Sequence, residues 1–326
     1  MNEERGAAAE LIWRPATADD IDAMHASLAA SDRVDHPTWV TPRDEIADIF
    51  ELSHVDPERD LLLALAPDGT VVAQGWAFLH PSHDAELHAY LQGAVHPHWR
   101  RRGIGTRLIE WLYTRARELI TETGSSADAA VYQYVDDGNI GAVILGERLG
   151  LQTERWFTSM QRDLAELVDA PLDVDGVEFV PYCAERASDA LAARNDAFRD
   201  HWGSLPSTPE RWAQFVGGAF LRPDLSTLAL RDGRIVAFCL ASVNEEDWVA
   251  LGASNTYIDL IGVVRDQRGL RLAPAVIART LRAAKDAGLE AAVLDVDTAS
   301  PTGAHTLYER LGFHPTQRQQ VLVRRF

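Results

Sequence analysis

The stretch Gly93-Ala94-Val95-His96-Pro97-His98-Trp99-Arg100-Arg101-Arg102-Gly103-Ile104-Gly105-Thr106 decides how this chain is read, because it occurs twice. Its counterpart is Ile261-Gly262-Val263-Val264-Arg265-Asp266-Gln267-Arg268-Gly269-Leu270-Arg271-Leu272-Ala273. Val95 stands over Val263 and Arg100 over Arg268, an offset of 168. Two further signals repeat at nearly the same interval. Leu145-Gly146-Glu147-Arg148-Leu149-Gly150-Leu151 matches Leu307-Tyr308-Glu309-Arg310-Leu311-Gly312-Phe313 at an offset of 162. The turn Pro67-Asp68-Gly69-Thr70 matches Arg231-Asp232-Gly233-Arg234 at 164. Solenoid repeats run to about 20–50 residues, so a period this long in 326 residues means two similar domains. They are expected at 9–165 and 176–326, joined by the acidic, Pro171-containing segment 166–176.

Working outward, each half has one order of elements. A short strand (Leu11–Arg14; Val177–Val180) precedes a helical stretch (Ala18–Ala30; Glu185–Phe198). Thr208-Pro209-Glu210 reads as a helix start, with Thr as the N-cap and Pro in the first helical position. A hairpin follows, Leu61–Ala66 with Val71–Phe78 around Asp68-Gly69, and Leu225–Leu230 with Ile235–Val243 around Asp232-Gly233. The repeated stretch then runs from a strand into a helix (Gly103–Leu119; Leu272–Ala287). In the first of these, Ile104, Leu108, Ile109, Leu112 and Ile120 recur at helical spacing. A strand (Ala129–Val135; Ala291–Val296), a helix and a closing strand complete each half. The fold class is mixed α/β, twice.

The strand–turn–helix carries chemistry. A Gly-rich turn lets backbone N–H groups converge on one point, and the helix N-terminus adds partial positive charge, so the pair suits a pyrophosphate. The turn lacks the Gly-Lys-Ser/Thr of the Walker loop and the Gly-x-Gly-x-x-Gly of the dinucleotide fingerprint.

It resembles the acyl-CoA loop of the GNAT superfamily of N-acyltransferases, Gln/Arg-x-x-Gly-x-Gly/Ala. The first half gives Arg100-x-x-Gly103-x-Gly105 in full. The second gives Arg268-x-x-Arg271-x-Ala273, with Arg271 where the first Gly stands. Leu307 to Phe313 is similar to the family's Leu-Tyr-Glu-x-x-Gly-Phe. Both motifs fall in register in both halves, so the resemblance covers nearly the whole chain and matches the layout of tandem actinobacterial members. It implies two GNAT domains that use acetyl-CoA as co-substrate. It implies coenzyme contacts at Val95, Arg100, Arg101, Arg102, Gly103, Ile104, Gly105, Thr106 and Asn139 in the first half. In the second it implies Val263, Arg268, Gly269, Leu270, Arg271, Leu272 and Ala273. In that family the fourth strand splays from the fifth, the acetyl-pantetheine arm lies in the gap, and a backbone N–H polarises the thioester carbonyl. A tyrosine hydroxyl protonates the leaving thiolate, and Tyr308 matches it; the first half has Gly146 there. Asn139 matches the motif asparagine, although a helix N-cap explains it equally; Ser300 stands in its place in the second half. Asp259, on the strand feeding the cleft, is a candidate general base, with a surface carboxylate or the anchor of a water chain as the alternatives, and a strand bulge would decide which way it points. The expectation is therefore catalysis in the second half, with the first a coenzyme-binding or structural partner.

Composition sets the remaining bounds. Lys and Arg number 31 against 49 Asp and Glu, a net charge of −18, which disfavours nucleic acid and anionic membranes and suits a cationic small-molecule amine. No apolar run approaches the ~20 residues that span a bilayer, and the first five residues do not read as a signal peptide. Two cysteines, Cys183 and Cys239, make no disulfide framework and read as buried residues in a cytoplasmic protein, monomeric or homodimeric. His80, His83 and His88 read as a solvated loop, with no metal expected. Asp295-Val296-Asp297-Thr298 has the Thr one residue early for a phosphatase motif, and Asp297 matches Asp136 as a strand-end residue. Asn195 to Gly203 reads either as a wall of the acceptor pocket or as an aromatic anchor. The rival to an N-acetyltransferase is a non-catalytic acyl-CoA-binding or scaffold protein.

Overall fold

The computed structural model describes residues 11–36, 38–83, 86–166, 173–299 and 303–326. Contacts divide the chain into two units. The first comprises 1–156 with 319–326, and the second 157–318.

The first unit contains β1 (Ile12–Arg14), α1 (Ile21–Asp35), α2 (Arg43–Ile49), α3 (Pro57–Asp60), β2 (Leu61–Leu65), β3 (Val71–Leu79), β4 (Leu87–Val95), α4 (Ile104–Glu122), β5 (Ala129–Asp136) and α5 (Ile140–Arg148). Next, β6 (Gln152–Asp163) leads into the elements of the second unit. These are β7 (Glu178–Pro181), α6 (Ala187–Ala197), α7 (Pro209–Gly217), β8 (Thr227–Arg231), β9 (Arg234–Ser242), α8 (Asp247–Leu251), β10 (Asn255–Val263), α9 (Leu272–Asp286), β11 (Ala291–Asp297) and α10 (Ala304–Arg310), followed by β12 (His314–Arg325). The Thr208 hydroxyl caps α7 as expected, accepting from the Arg211 N–H. The short helices α2, α3 and α8 lie where no apolar period of sufficient length exists to announce them.

In the first unit β1, β2, β3 and β4 are antiparallel neighbours in chain order, and β5 joins β4 in parallel. The second unit repeats this with β7, β8, β9, β10 and β11. Helix α4 presents Ile104, Leu108, Ile109 and Leu112 to the first sheet, and α9 presents Leu272, Val276, Ile277 and Leu281 to the second. Burying four such side chains contributes roughly 6–12 kcal/mol per helix before entropy is charged.

The sixth strand of each sheet departs from the expected boundaries. β5 is paired on its outer edge by Gln319–Arg325, and β11 by Phe157–Asp163, both antiparallel. The two halves thus exchange their last strands, so neither 9–165 nor 176–326 is a complete unit. The exchanged strands carry matching locks. Arg324 donates to the Leu149 carbonyl and lies against Gly150, where φ is +82°. Arg162 lies likewise against Gly312, where φ is +86°. No side chain could occupy either glycine without displacing a guanidinium.

Removal of residues 319–326 takes away Val321, Leu322 and Val323, all fully or almost fully buried. At ~1.5–3 kcal/mol each the loss approaches the whole stability of a domain. The first unit is expected to lose its fold, read as collapse of hydrogen-exchange protection in Ala129–Asp136. Retained protection there would show that the exchanged strand is dispensable.

Candidate active site

β4 pairs with β5 only from Leu87↔Ala129 to Leu91↔Gln133, while its remainder, Gln92–Val95, stays on β3. β10 pairs with β11 over a still shorter run, Asn255↔Ala291 to Tyr257↔Val293, and stays on β9 as far as Val263↔Ala237. Each unit therefore has a strand edge whose N–H and C=O groups face a gap, a geometry that accepts an extended ligand as an added strand.

The Arg/Gly loop closes one end of each gap. Both loops hold two residues in the left-handed region, in opposite order. The first has Arg101 at φ 64° and Gly103 at 81°; the second has Gly269 at 83° and Arg271 at 59°. Arg271 therefore adopts the backbone conformation that Gly103 supplies freely, at about 1–2 kcal/mol. Gly103 and Arg271 each occupy the position just before a long helix, so both loops deliver amides to a helix N-terminus. The guanidinium groups of Arg101 and Arg271 make no hydrogen bond or ion pair among the described residues, and each is available to a phosphate.

Arg100 and Arg268 do something else. The Arg100 fork grips Asp35 at 2.8 and 2.7 Å while its Nε donates to the Val95 carbonyl at 2.9 Å. Arg268 donates to the Ala197 carbonyl at 2.8 Å and to Asp200 at 3.2 Å. Both side chains are turned back to the C-terminal end of the first long helix of their half, α1 or α6, so what they offer a ligand is backbone. Arg102 lies over the Trp99 ring at 4.9 Å. Ile104 and Leu272 point into the core at 1% exposure. Leu270 is exposed and Ala273 half-buried. Asn139 caps α5, accepting from the Ala142 N–H at 3.2 Å; Ser300 lies outside the described residues. A cavity of about 410 Å³ in the first unit is lined by Val95, Arg101, Gly103, Gly105, Thr106 and Asn139 among others.

In the second unit the β9–β10 register slips between Ile258 and Leu260, leaving Asp259 as the extra residue of a bulge; the β3–β4 register runs on without one. Asp259 accepts from the Ser242 hydroxyl at 2.7 Å. Burial pushes its carboxyl up to about 7, against the lowering effect of that bond. Beside it, Tyr257 donates to Asp295 at 2.9 Å, and Ser159 donates to the same carboxylate at 2.5 Å. On the other face lies the fully buried Cys239, and Tyr308 of α10 is within electrostatic range of its thiol. Burial, then Cys239, raise the Tyr308 hydroxyl, so it holds its proton. Ser242 lies three residues beyond Cys239 on the same strand and so projects to the opposite face. A group near neutrality and a retained phenol proton therefore flank the gap from its two sides.

The segment Asn195 to Gly203 works as an anchor. Asp196 accepts from the Arg265 N–H at 2.9 Å, Asp200 holds Arg265 and Arg268, and the Phe198 ring stacks 6.5 Å from that of Phe238. Asp297 accepts from the Ala299 N–H at the end of its strand. His80 accepts from the Ser82 N–H, and His88 pairs with Glu86. Cys239 is fully buried but Cys183 only half so, against expectation. No motif singles out Asp35, Tyr257 or Gln133, and Asp200 and Asp295 figure only within the stretches Asn195–Gly203 and Asp295–Thr298, without the partners they have here. Asp35 and Asp200 had a signal, since they stand 165 residues apart, close to the interval of the repeat, Asp35 as the last residue of α1 and Asp200 three residues beyond the end of α6.

Two α/β units with a splayed parallel pair and a phosphate-suited loop at the splay define an acyl-CoA-type transferase architecture. The family model for the acetyltransferase (GNAT) family matches residues 22–150 and again 188–313. The chain belongs to that family, in tandem form, and is an acyltransferase; members use acetyl-CoA as co-substrate. It is 30% identical over 295 residues to a mycothiol acetyltransferase of Thermobispora bispora, covering 89% of this chain and 92% of that one. It is 29% identical to a mycothiol acetyltransferase of Sanguibacter keddieii, covering 92% and 91%. Among solved structures, a GCN5-related N-acetyltransferase from Sphaerobacter thermophilus matches with a TM-score of 0.71, 25% identity and coverage of 97% and 96%. A tandem GNAT protein from the clavulanic acid biosynthesis pathway matches in fold, with a TM-score of 0.69, 18% identity and coverage of 97% and 98%.

Arg271→Gly is expected to stabilise the second unit by about 0.5–1 kcal/mol, as relief of ~1–2 kcal/mol exceeds the added unfolded-state entropy of ~0.5–1 kcal/mol. Gly269→Ala is expected to cost ~1–2 kcal/mol. Denaturant unfolding reads both, and opposite signs would refute the conformational account of the loop.

Proposed function

We propose that the chain transfers an acetyl group from acetyl-CoA to a primary amine of a small cationic molecule, and that the second unit performs the chemistry. The observation carrying this reading is the bulge that sets Asp259 on one face of the β10–β11 gap while Tyr308 lies on the other. The first unit has neither partner, since Gly146 replaces the tyrosine and β4 runs without a bulge. Its cleft is read as a coenzyme site without turnover, built by Gly103, Gly105, Thr106 and the free Arg101.

An amine arrives largely protonated. Asp259, ionising near neutrality, takes that proton directly or through one water, and the neutral amine attacks the thioester carbonyl. A backbone N–H on the open edge near Val263 stabilises the developing oxyanion. Tyr308 then protonates the departing thiolate and regains a proton from the nitrogen as the amide forms, so the products are the N-acetyl amide, the coenzyme A thiol and the one proton held by Asp259. Asp259 and Asp295, together with the net charge of −18, favour a cationic acceptor. The mycothiol precursor is the first acceptor to test, on the names of the relatives above.

Asp259→Asn is expected to lower kcat/KM at least about tenfold and to abolish its rise across pH ~7. A carboxyl titrating near 7 when folded and near 4 when unfolded binds more protons in the folded state between those values. Its destabilising effect therefore grows as pH rises from 4 to 7, and Asp259→Asn should raise Tm at pH 8 more than at pH 4. An unchanged pH profile would remove Asp259 from the role of base.

Tyr308→Phe is expected to lower kcat at least about tenfold with acetyl-CoA affinity nearly constant. If Gly103→Asp abolishes acetylation and Tyr308→Phe does not, with both proteins folded, the chemistry belongs to the first unit. Coenzyme A release unaltered by any amine would favour a non-catalytic acyl-CoA-binding protein.

A further inference from the structure

Two adjacent residues at the end of α1 reach opposite sides of the first unit's gap. Asp35 holds Arg100, in the turn beyond β4. His36 forms an ion pair at 2.6 Å with Asp136, the last residue of β5. β4 and β5 part after Leu91↔Gln133, so Tyr134, Val135 and Asp136 run on along the gap. Asp136 lies an odd number of residues from Gln133, which lines the cavity, and so faces the other side of the sheet. The ion pair therefore crosses the gap on the side away from α4. Both side chains are largely buried, and the Trp39 ring packs on the imidazole at 4.6 Å.

The second unit keeps only one of these arms. Asp200 holds Arg268 as Asp35 holds Arg100. His201 stands 165 residues after His36, the interval that separates Asp200 from Asp35. Its Nδ1 donates to the Trp202 carbonyl at 3.1 Å, however, and its ring packs against Phe198. Asp297, at the matching end of β11, accepts from the Ala299 N–H at 2.9 Å.

A strand end that is not held must be ordered when a ligand arrives, and that cost is subtracted from affinity. In the first unit both sides of the gap are held to one helix end beforehand. Resting on the reading of this cleft as a coenzyme site, we propose that His36 is a positioning residue whose ion pair with Asp136 presets the gap for the coenzyme arm, so that coenzyme binding in the first unit follows the charge on His36. The charged groups acting on the imidazole are Asp136 from β5 and Asp32 and Asp35 from α1. Burial works against its charge, but the three carboxylates outweigh burial and raise its pKa above the ordinary histidine value. The imidazolium thus persists above the pH at which a free histidine gives up its proton, and the tie weakens as pH rises further.

Hydrogen exchange of peptides within Arg101–Leu112 reads coenzyme occupancy of the first unit, and peptides within Gly269–Ile277 read the second. Acetyl-CoA is titrated against the full chain at pH about 7 and about 9, both above the range in which phosphates titrate. In the first unit, half-protection is expected to need about three- to tenfold more acetyl-CoA at the higher pH, as one charge-assisted contact is lost in part. His36→Gln and Asp136→Asn are expected to need the higher concentration at both pH values, and the double variant no more than either single one. Occupancy of the second unit should be unchanged by these substitutions, and unaltered protection of Leu61–Leu65 without ligand checks that the variants are folded. No pH response in the unsubstituted protein, or the same response and affinity in His36→Gln, would overturn the role of His36 while leaving the coenzyme site standing. Absence of any protection of Arg101–Leu112 by acetyl-CoA would overturn both.

Discussion

Everything in this protein hangs on a pair of parallel strands that stop pairing while both still continue. Backbone amides and carbonyls left open inside a fold are costly, and a sheet closes such a gap unless something prevents it. Here two devices hold it open. The Arg100–Asp35 clamp, with its copy Arg268–Asp200, pins the turn beyond the strand to the end of α1 in the first unit and to the loop just beyond α6 in the second. The helix that follows packs its apolar stripe under the diverging strands. The open edge, the loop amides and the helix N-terminus then converge on one elongated ligand.

The two halves share that scaffold and differ in what they place along it. Their loops show how a left-handed requirement is met by either residue order, Arg then Gly or Gly then Arg, with one guanidinium left free each time. Conformation, more than residue identity, is what the loop keeps. The gap lining is another matter. One inserted residue in β10 brings a carboxylate to the edge, and the change from Gly146 to Tyr308 brings a phenol. In the first unit an aromatic stack of Phe78 on Tyr90 and Tyr90 on Tyr132 occupies the face where the second has Ser242, Tyr257 and Val293.

The repeat, the strand order and the Arg/Gly loop were legible in the sequence because they are local and periodic. Arg271 read as a defect in the motif because a one-letter pattern records a missing glycine and no φ. The engagement of Arg100 and Arg268 was hidden for a different reason: their acids lie 65 and 68 residues away, and only the repeat could have linked them. The bulge at Asp259 leaves no trace in composition, since a single extra residue in a strand is visible only against its partner's register. The exchange of last strands was equally hidden. Nothing in Phe157–Asp163 or Gln319–Arg325 names the sheet that receives it, because each pairs only with a strand far away in sequence.

That exchange has a consequence for how the chain is made. The first unit is nearly complete once residue 156 has been synthesised, yet the strand covering β5 ends at residue 325. At ~5–20 residues per second, roughly 10 to 30 seconds separate the two events. Throughout that interval β5 presents an uncovered edge to the crowded surroundings of the ribosome, the kind of template on which neighbouring nascent chains pair. Translation speed through the second half thus becomes part of the folding problem of the first.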